Sequence, residues 1–300
     1  MHLLSISDLT ADEIRDLIDQ AGAMKRQGRL SLLAGRSMAL LFERPSLRTR
    51  VSFEVAMSQL GGHSMYLSPE EVGLGHREAA GDVGAVLSRY VHGVVARVRS
   101  QAILQLLAEN ASIPVINGLS DEEHPCQALS DLLTIHEKKG RLRGLVMAYV
   151  GDGNNVAQSL ILGGALCGME VRLACPQPYR VMASVVAKAR TIAGPSGGQV
   201  VETADPRRAV DGADVVYTDV WYSMGHEEER DVRLRVLAPY QVNSALLGGA
   251  RDDVIVMHCL PAHRGEEITD EVLDGPHSVV LDQAENRLHM QKAILAKLLV

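Results

Sequence analysis

Aromatic side chains are scarce in this chain: one tryptophan, two phenylalanines and seven tyrosines, 3% of 300 residues. Stacking of bases on aromatic platforms is a poor fit to that composition. The formal net charge of −7 argues against a general polyanion binder. An anion site here must be a local cluster working against the overall field. Cysteine is sparse too. Cys126, Cys167, Cys175 and Cys259 show no CxxC spacing and no small-scaffold framework, so a reducing, cytoplasmic setting is expected. Met1-His2-Leu3-Leu4-Ser5 lacks the charged and apolar regions of a signal peptide. No uncharged apolar run reaches the ~18 residues of a membrane span. The longest candidate, residues 160–169, is broken by glycines and reads as a packed helix. HExxH is absent and His258 and His263 stand five apart, so no metal site is expected.

What is present is aliphatic. Hydrophobic residues make up 46% of the chain, enough for cores of Leu, Val, Ile, Ala and Met, and the length favours two domains. Thr10-Ala11-Asp12-Glu13 is a capping box ahead of Ile14, Leu17, Ile18, Ala21 and Met24 on one helical face, with Gly28 beyond its end. Strand-like runs then lie at residues 38–42, 94–98 and 114–118, with helical patterns at 51–60, 79–90 and 102–109 between them. A second series follows Lys138-Lys139-Gly140, with strands at 145–150, 170–175, 199–202, 215–218 and 254–258. Such alternation predicts an α/β protein of two domains, each a parallel sheet flanked by helices. The expected division is 1–138, 139–282, and a C-terminal helix over 283–300 that packs back on the first domain. A helix from about Pro125 to Lys138 joins the two sheets.

Ser46-Leu47-Arg48-Thr49-Arg50 places two hydroxyls and two guanidiniums at a helix start after the first strand, with Val51, Val55 and Leu60 as the helical stripe. A helix N-terminus offers unpaired N–H groups and the positive dipole end, and Arg48 adds a planar fork for phosphate or carboxylate oxygens. The plainer alternative is a serine N-cap with arginines on a solvated face. Other polar residues also fall at strand ends, where ligands bind in open parallel sheets. They are Arg97, His124-Pro125-Cys126-Gln127, Gly151-Asp152-Gly153-Asn154-Asn155, Asp219 and His258-Cys259-Leu260-Pro261. Singly, each has a plain reading: Arg97 an ion pair, His124 a helix start, Asn154-Asn155 a cap, Cys259 a buried thiol. Gly151 and Gly153 do not complete a dinucleotide fingerprint, because Val156 stands where its third glycine belongs. Jointly they suggest a cleft between two domains.

These segments together resemble the aspartate/ornithine carbamoyltransferase family, from Phe42 to about Lys292. The matching pieces are Phe42-Glu43 with Ser46 to Glu54, Asn117-Gly118-Leu119-Ser120-Asp121, and His124 to Asp131. Further on they are Gly151 to Asn155, Asp219 with Ser223-Met224-Gly225, His258-Cys259-Leu260-Pro261, and Glu285-Asn286-Arg287. Ser-Met-Gly and the cysteine after His258 look like the ornithine branch; no lysine-bearing loop of the aspartate branch lies between Leu67 and Arg89.

The resemblance implies attack by the δ-amino group of L-ornithine on carbamoyl phosphate, giving citrulline and phosphate within arginine metabolism. It implies carbamoyl phosphate binding by Ser46, Leu47, Arg48, Thr49, Arg97, His124, Gln127, Cys259, Leu260 and Arg287. Asn155, Asp219, Ser223 and Met224 would bind ornithine. Catalytic roles fall to Cys259, Arg97, His124 and Asp219. No cofactor is implied. The expected partners are the two small substrates and copies of the same chain in a trimer, with no nucleic acid and no membrane. Two departures stand out. Leu47 replaces the family's usual threonine, keeping only the backbone donor, and Gly73 stands where many members carry a glutamine that reaches a neighbouring subunit. The alternatives are a carbamoyltransferase for putrescine or an acylated ornithine, a non-catalytic protein of the same fold, and a nicotinamide dehydrogenase resting on the incomplete fingerprint.

Overall fold

The computed structural model describes residues 1–74, 77–222 and 229–300. The chain forms two compact units, residues 1–133 with 285–300, and residues 134–284.

The first unit carries strands β1 (Ser37–Phe42), β2 (His63–Leu67), β3 (Gly93–Arg97) and β4 (Val115–Leu119). All are parallel, in the order β2-β1-β3-β4. Helices α1 (Ala11–Gln27), α2 (Leu47–Gln59), α3 (Pro69–Val72), α4 (Ala80–Leu87) and α5 (Gln101–Asn110) belong to it. Helix α6 (Pro125–Lys139) leads out of it along the chain. The central strands are buried nearly end to end, as helices on both faces require. β2 is different. Its alternately exposed edge, with polar His63 and Ser64, lacks a continuous apolar run, and it is absent from the strands read in the sequence.

The capping box at α1 forms as its residues dictate. The Glu13 N–H donates to Thr10 Oγ1 at 3.2 Å, and Glu13 Oε2 accepts the Thr10 N–H at 2.9 Å. Ile14, Leu17, Ile18, Ala21 and Met24 are the buried face, and Gly28 ends the helix with φ of 75°. Helix α2 turns a different face inward from the one expected. Val51 and Val55 are 47% and 36% exposed, while Thr49, Phe53, Ala56 and Met57 are buried; of the expected stripe Leu60, the C-cap, is the member that faces inward. The true inward stripe begins with a threonine, which apolar spacing passes over.

The second unit has strands β5 (Val146–Val150), β6 (Glu170–Ala174), β7 (Gln199–Thr203), β8 (Val215–Thr218) and β9 (Ile255–His258). These are parallel in the order β7-β6-β5-β8-β9. Its helices are α7 (Asn155–Leu166), α8 (Ala183–Ser196), α9 (Pro206–Val210), α10 (Arg230–Leu237), α11 (Ser244–Leu247) and α12 (Asp270–Leu273). Beneath them, Ala148, Val150, Val216, Val242, Val256 and Ile268 form part of one aliphatic core.

Helix α13 (Val280–Leu299) returns to the first unit from Glu285 onward. Its attachment is polar as well as apolar. Lys25 Nζ donates to Asn286 Oδ1 at 2.8 Å. The buried Lys292 donates from Nζ to Met24 O and Gly28 O, at 3.1 and 3.4 Å, at the C-terminal end of α1. A cation at that end complements the helix dipole and satisfies terminal carbonyls. Burial pushes the Lys292 pKa down from its ordinary value.

Candidate active site

Each unit has one place where strand order reverses, and ligands in open α/β sheets settle beyond the carboxyl ends of strands at such points. In the first unit it lies between β1 and β3. The β1 exit leads to Ser46, whose side chain caps α2 by accepting the Thr49 N–H at 3.3 Å. Leu47 occupies the first helical position and is 75% exposed. Arg48, half-buried, follows it in the first turn. Arg50 turns away from this start: it pairs with Glu54 at 3.0 Å and lies 3.9 Å over the Tyr66 ring. Of the two guanidiniums in the motif, only Arg48 remains for the anion.

The adjoining strand ends supply the rest. Arg97 terminates β3, where the β3–β4 register shifts by a bulge. His124 immediately precedes α6 and is both the helix start and a buried side chain. Burial pushes its pKa well below 6.5, and the charges of Arg287 and Arg97 act in the same direction. A neutral imidazole with one N–H results. One turn on, Gln127 Nε2 donates to Asp131 Oδ1 at 2.8 Å, leaving the buried Oε1 with no partner among the described residues. Arg287 Nη2 donates to Thr49 Oγ1 at 2.7 Å, so α13 reaches the start of α2. Thr49, His124, Gln127 and Arg287 are thus all buried, three of them charged or strongly polar. A buried polar set of this kind is costly unless partners satisfy it.

Gly73 ends α3 in the left-handed region, φ 57°, its N–H donating to Pro69 O at 2.9 Å. A Cβ there would stand 2.7 Å from the Arg77 Cβ. Glycine is a backbone requirement of this turn.

In the second unit the order reverses between β5 and β8. Asn154 caps α7, its Oδ1 accepting the N–H groups of Val156 and Ala157 at 3.0 and 3.2 Å. From the same amide, Nδ2 donates to Asp219 Oδ2 at 2.7 Å, just beyond β8. The Cys259 thiol, just beyond β9, donates to Asp219 Oδ1 at 2.9 Å. One carboxylate therefore gathers the ends of three neighbouring strands. Of the asparagine pair, it is Asn154 that makes this bond, while Asn155 takes the first position of α7. Gly153 serves close packing, not a fingerprint: a Cβ there would meet Val181 N at 2.3 Å.

Behind Cys259, His258 and Glu267 are fully buried. His258 Nδ1 accepts the Leu260 N–H at 2.9 Å, which assigns its proton to Nε2, facing Glu267 Oε1 at 3.0 Å. Leu260 has a positive φ of 57° and precedes a cis peptide to Pro261. Both ring nitrogens of His258 are engaged inside the protein, holding the bend that presents Cys259. Ser223 and Met224 lie outside the described residues. Sequence reasoning missed Asp131, Glu267 and the bond of Asn154 to Asp219. The four-residue spacing of Gln127 and Asp131 on one helix was the only local signal among them.

The chain is similar to known proteins over nearly its full length. The family description "Aspartate/ornithine carbamoyltransferase, carbamoyl-P binding domain" matches residues 1–137. The companion "Asp/Orn binding domain" matches residues 143–298. An ornithine carbamoyltransferase of Archaeoglobus fulgidus is 51% identical over 302 residues, covering 99% of this chain and 97% of the relative. The solved ornithine carbamoyltransferase of Pyrococcus furiosus superposes with a TM-score of 0.97 at 49% identity, covering 99% and 96% of the two chains. A solved N-acetyl-L-ornithine transcarbamylase follows at 33% identity and a TM-score of 0.91, covering 99% of each chain. With two reversal points so furnished and both halves matched, the chain belongs to the aspartate/ornithine carbamoyltransferase family.

Proposed function

We propose that this chain transfers the carbamoyl group of carbamoyl phosphate to the δ-amino group of L-ornithine, releasing L-citrulline and phosphate. The observation that carries the reading is the Asp219 carboxylate, held between the Asn154 amide and the Cys259 thiol at the reversal point of the second unit. A fixed anion there suits an amino acid with two ammonium groups. Relatives named ornithine carbamoyltransferase at about 50% identity support the same choice. One of them, from Pyrococcus furiosus, is named anabolic, which favours the biosynthetic direction.

The first domain, residues 1–138, with the returning helix 283–300, would bind carbamoyl phosphate. The phosphate rests on the α2 start through Ser46, the Leu47 N–H, Arg48 and Thr49. Arg97, Arg287 and neutral His124 aim donors at the carbonyl oxygen, where negative charge grows as the amine attacks; one such donor is worth roughly 3–4 kcal/mol. Gln127 Oε1, buried and otherwise without a partner among the described residues, accepts from the carbamoyl NH2. In the second domain, residues 139–282, Asn155, Ser223 and Met224 hold the amino-acid end. Asp219 and Cys259 orient the amine. As the new C–N bond forms, the nitrogen loses a proton and the C–O bond to phosphate breaks with its electron pair. An alkylamine of pKa about 10 is mostly protonated at neutral pH, so positioning and proton removal carry part of the barrier.

A homotrimer and a cytoplasmic setting complete the proposal. Leu47, Val51 and Val55 form an exposed apolar stripe on α2, and Met65 on edge strand β2 adds to it, a surface suited to another copy of the chain. Among the described residues no helix is long and apolar enough to cross a membrane. A panel of amines with carbamoyl phosphate tests the substrate. Turnover of ornithine well above putrescine and N-acetylornithine is expected. Substantial use of either in place of ornithine overturns the choice.

A further inference from the structure

Arg233, on α10, is a nearly buried cation outside the residues assigned above. Its Nη1 donates to Asp152 Oδ2 and to the Trp221 carbonyl, both at 2.9 Å. Its Nε donates to Glu229 Oε2 at 3.0 Å, and its guanidinium carbon stands 4.4 Å from the Tyr179 ring centroid. One side chain therefore fastens the turn after β5, Trp221 beyond β8 and Glu229, the residue before α10. Tyr179 is itself locked onto the turn after β5, its carbonyl accepting the Gly153 N–H at 2.8 Å.

Asn154 belongs to that turn, and Asp219 stands two residues before Trp221. The Asp152 carbonyl accepts the Asn154 N–H and the Tyr149 hydroxyl, each at 2.8 Å. Displacing Asp152 therefore moves the asparagine that holds Asp219. Charge acts in the same direction. Burial foremost pushes the Asp152 carboxyl up to about 6, Asp219 and Glu229 add to that rise, and Arg233 opposes it. Without Arg233 the carboxyl would rise further and hold a proton more readily, losing the charge that pins its turn.

Building on the proposed use of ornithine, we infer that Arg233 is a positioning residue for the amino-acid substrate, acting through Asp152 and the Trp221 carbonyl to hold Asn154 and Asp219 in register. It touches no reacting atom. Its contribution falls on the amino acid's affinity and not on the grip on carbamoyl phosphate.

The test compares Arg233→Met and Arg233→Lys with the wild-type chain. In Arg233→Met the ornithine KM should rise about tenfold or more, the loss expected of charge-assisted bonds. The carbamoyl phosphate KM should stay within about twofold of wild type. Arg233→Lys, which keeps a cation able to reach both acceptors, should recover most of the loss. A second readout needs no substrate: Trp221 is the only tryptophan and is 2% exposed. Its emission in Arg233→Met should shift to longer wavelength and gain iodide quenching. An unchanged ornithine KM, or a parallel rise in both KM values, overturns the inference. If the wild-type chain makes no citrulline, the functional reading falls instead, and unshifted Trp221 emission in Arg233→Met then overturns the clamp itself.

Discussion

Arg287 Nη2 and Thr49 Oγ1 meet at 2.7 Å, a buried bond between residues 238 positions apart that ties the C-terminal helix to the start of α2. The threonine hydroxyl gives one N–H of this buried cation an acceptor. Thr49→Val keeps the shape and removes the acceptor. The first unit should lose about 1–3 kcal/mol, read by urea unfolding. The carbamoyl phosphate KM should rise with it, while ornithine's stays near wild type. An unaltered unfolding midpoint would show that the bond carries no weight.

His124 should remain neutral throughout the physiological range. Its folded pKa lies well below the ordinary 6.5, through burial first and then Arg287 and Arg97. The folded state thus binds this proton less readily than the unfolded chain. The resulting stability is complete above pH 6.5 and is lost as pH falls below it toward the folded value. Histidine NMR should show one ring still neutral when the exposed rings have titrated. His124→Gln should flatten the acid decline in melting temperature. A ring titrating near its ordinary value contradicts this.

Cys259 donates to Asp219 and lies next to the bend fixed by His258 and Glu267. Cys259→Ala removes the thiol while leaving that bend intact. Turnover should fall about tenfold or more with carbamoyl phosphate binding little changed, the pattern of a group that acts on the attacking amine. Unchanged turnover would remove the thiol from the chemistry.

Much of the architecture was legible because local chemistry and burial agree. The α1 box and stripe, the five strands of the second unit and the helix start at Ser46 follow from caps and apolar runs. β2 was not legible, since an edge strand needs only one covered face and its residues carry no apolar run. The inward face of α2 was misread because Thr49 is buried to reach Arg287, a partner no local pattern reveals. The same holds for the site. Strand-end residues could be named, but that Asn154 caps α7 and reaches Asp219 with the same amide depends on cap geometry. Arg233 stood among exposed-looking charges, its partner Asp152 lying 81 residues away. Long-range pairs of this kind leave no periodicity to read.

The central claim is that Arg48 grips one substrate and Asp219 the other. It is tested most directly by citrulline initial rates with each substrate varied in turn, for wild type, Arg48→Met and Asp219→Asn. Arg48→Met should raise the carbamoyl phosphate KM by about tenfold to a hundredfold and leave ornithine's nearly unmoved, as loss of a charge-assisted fork dictates. Asp219→Asn should do the reverse. Wild-type constants in both variants, or both variants weakening the same substrate, would contradict the account.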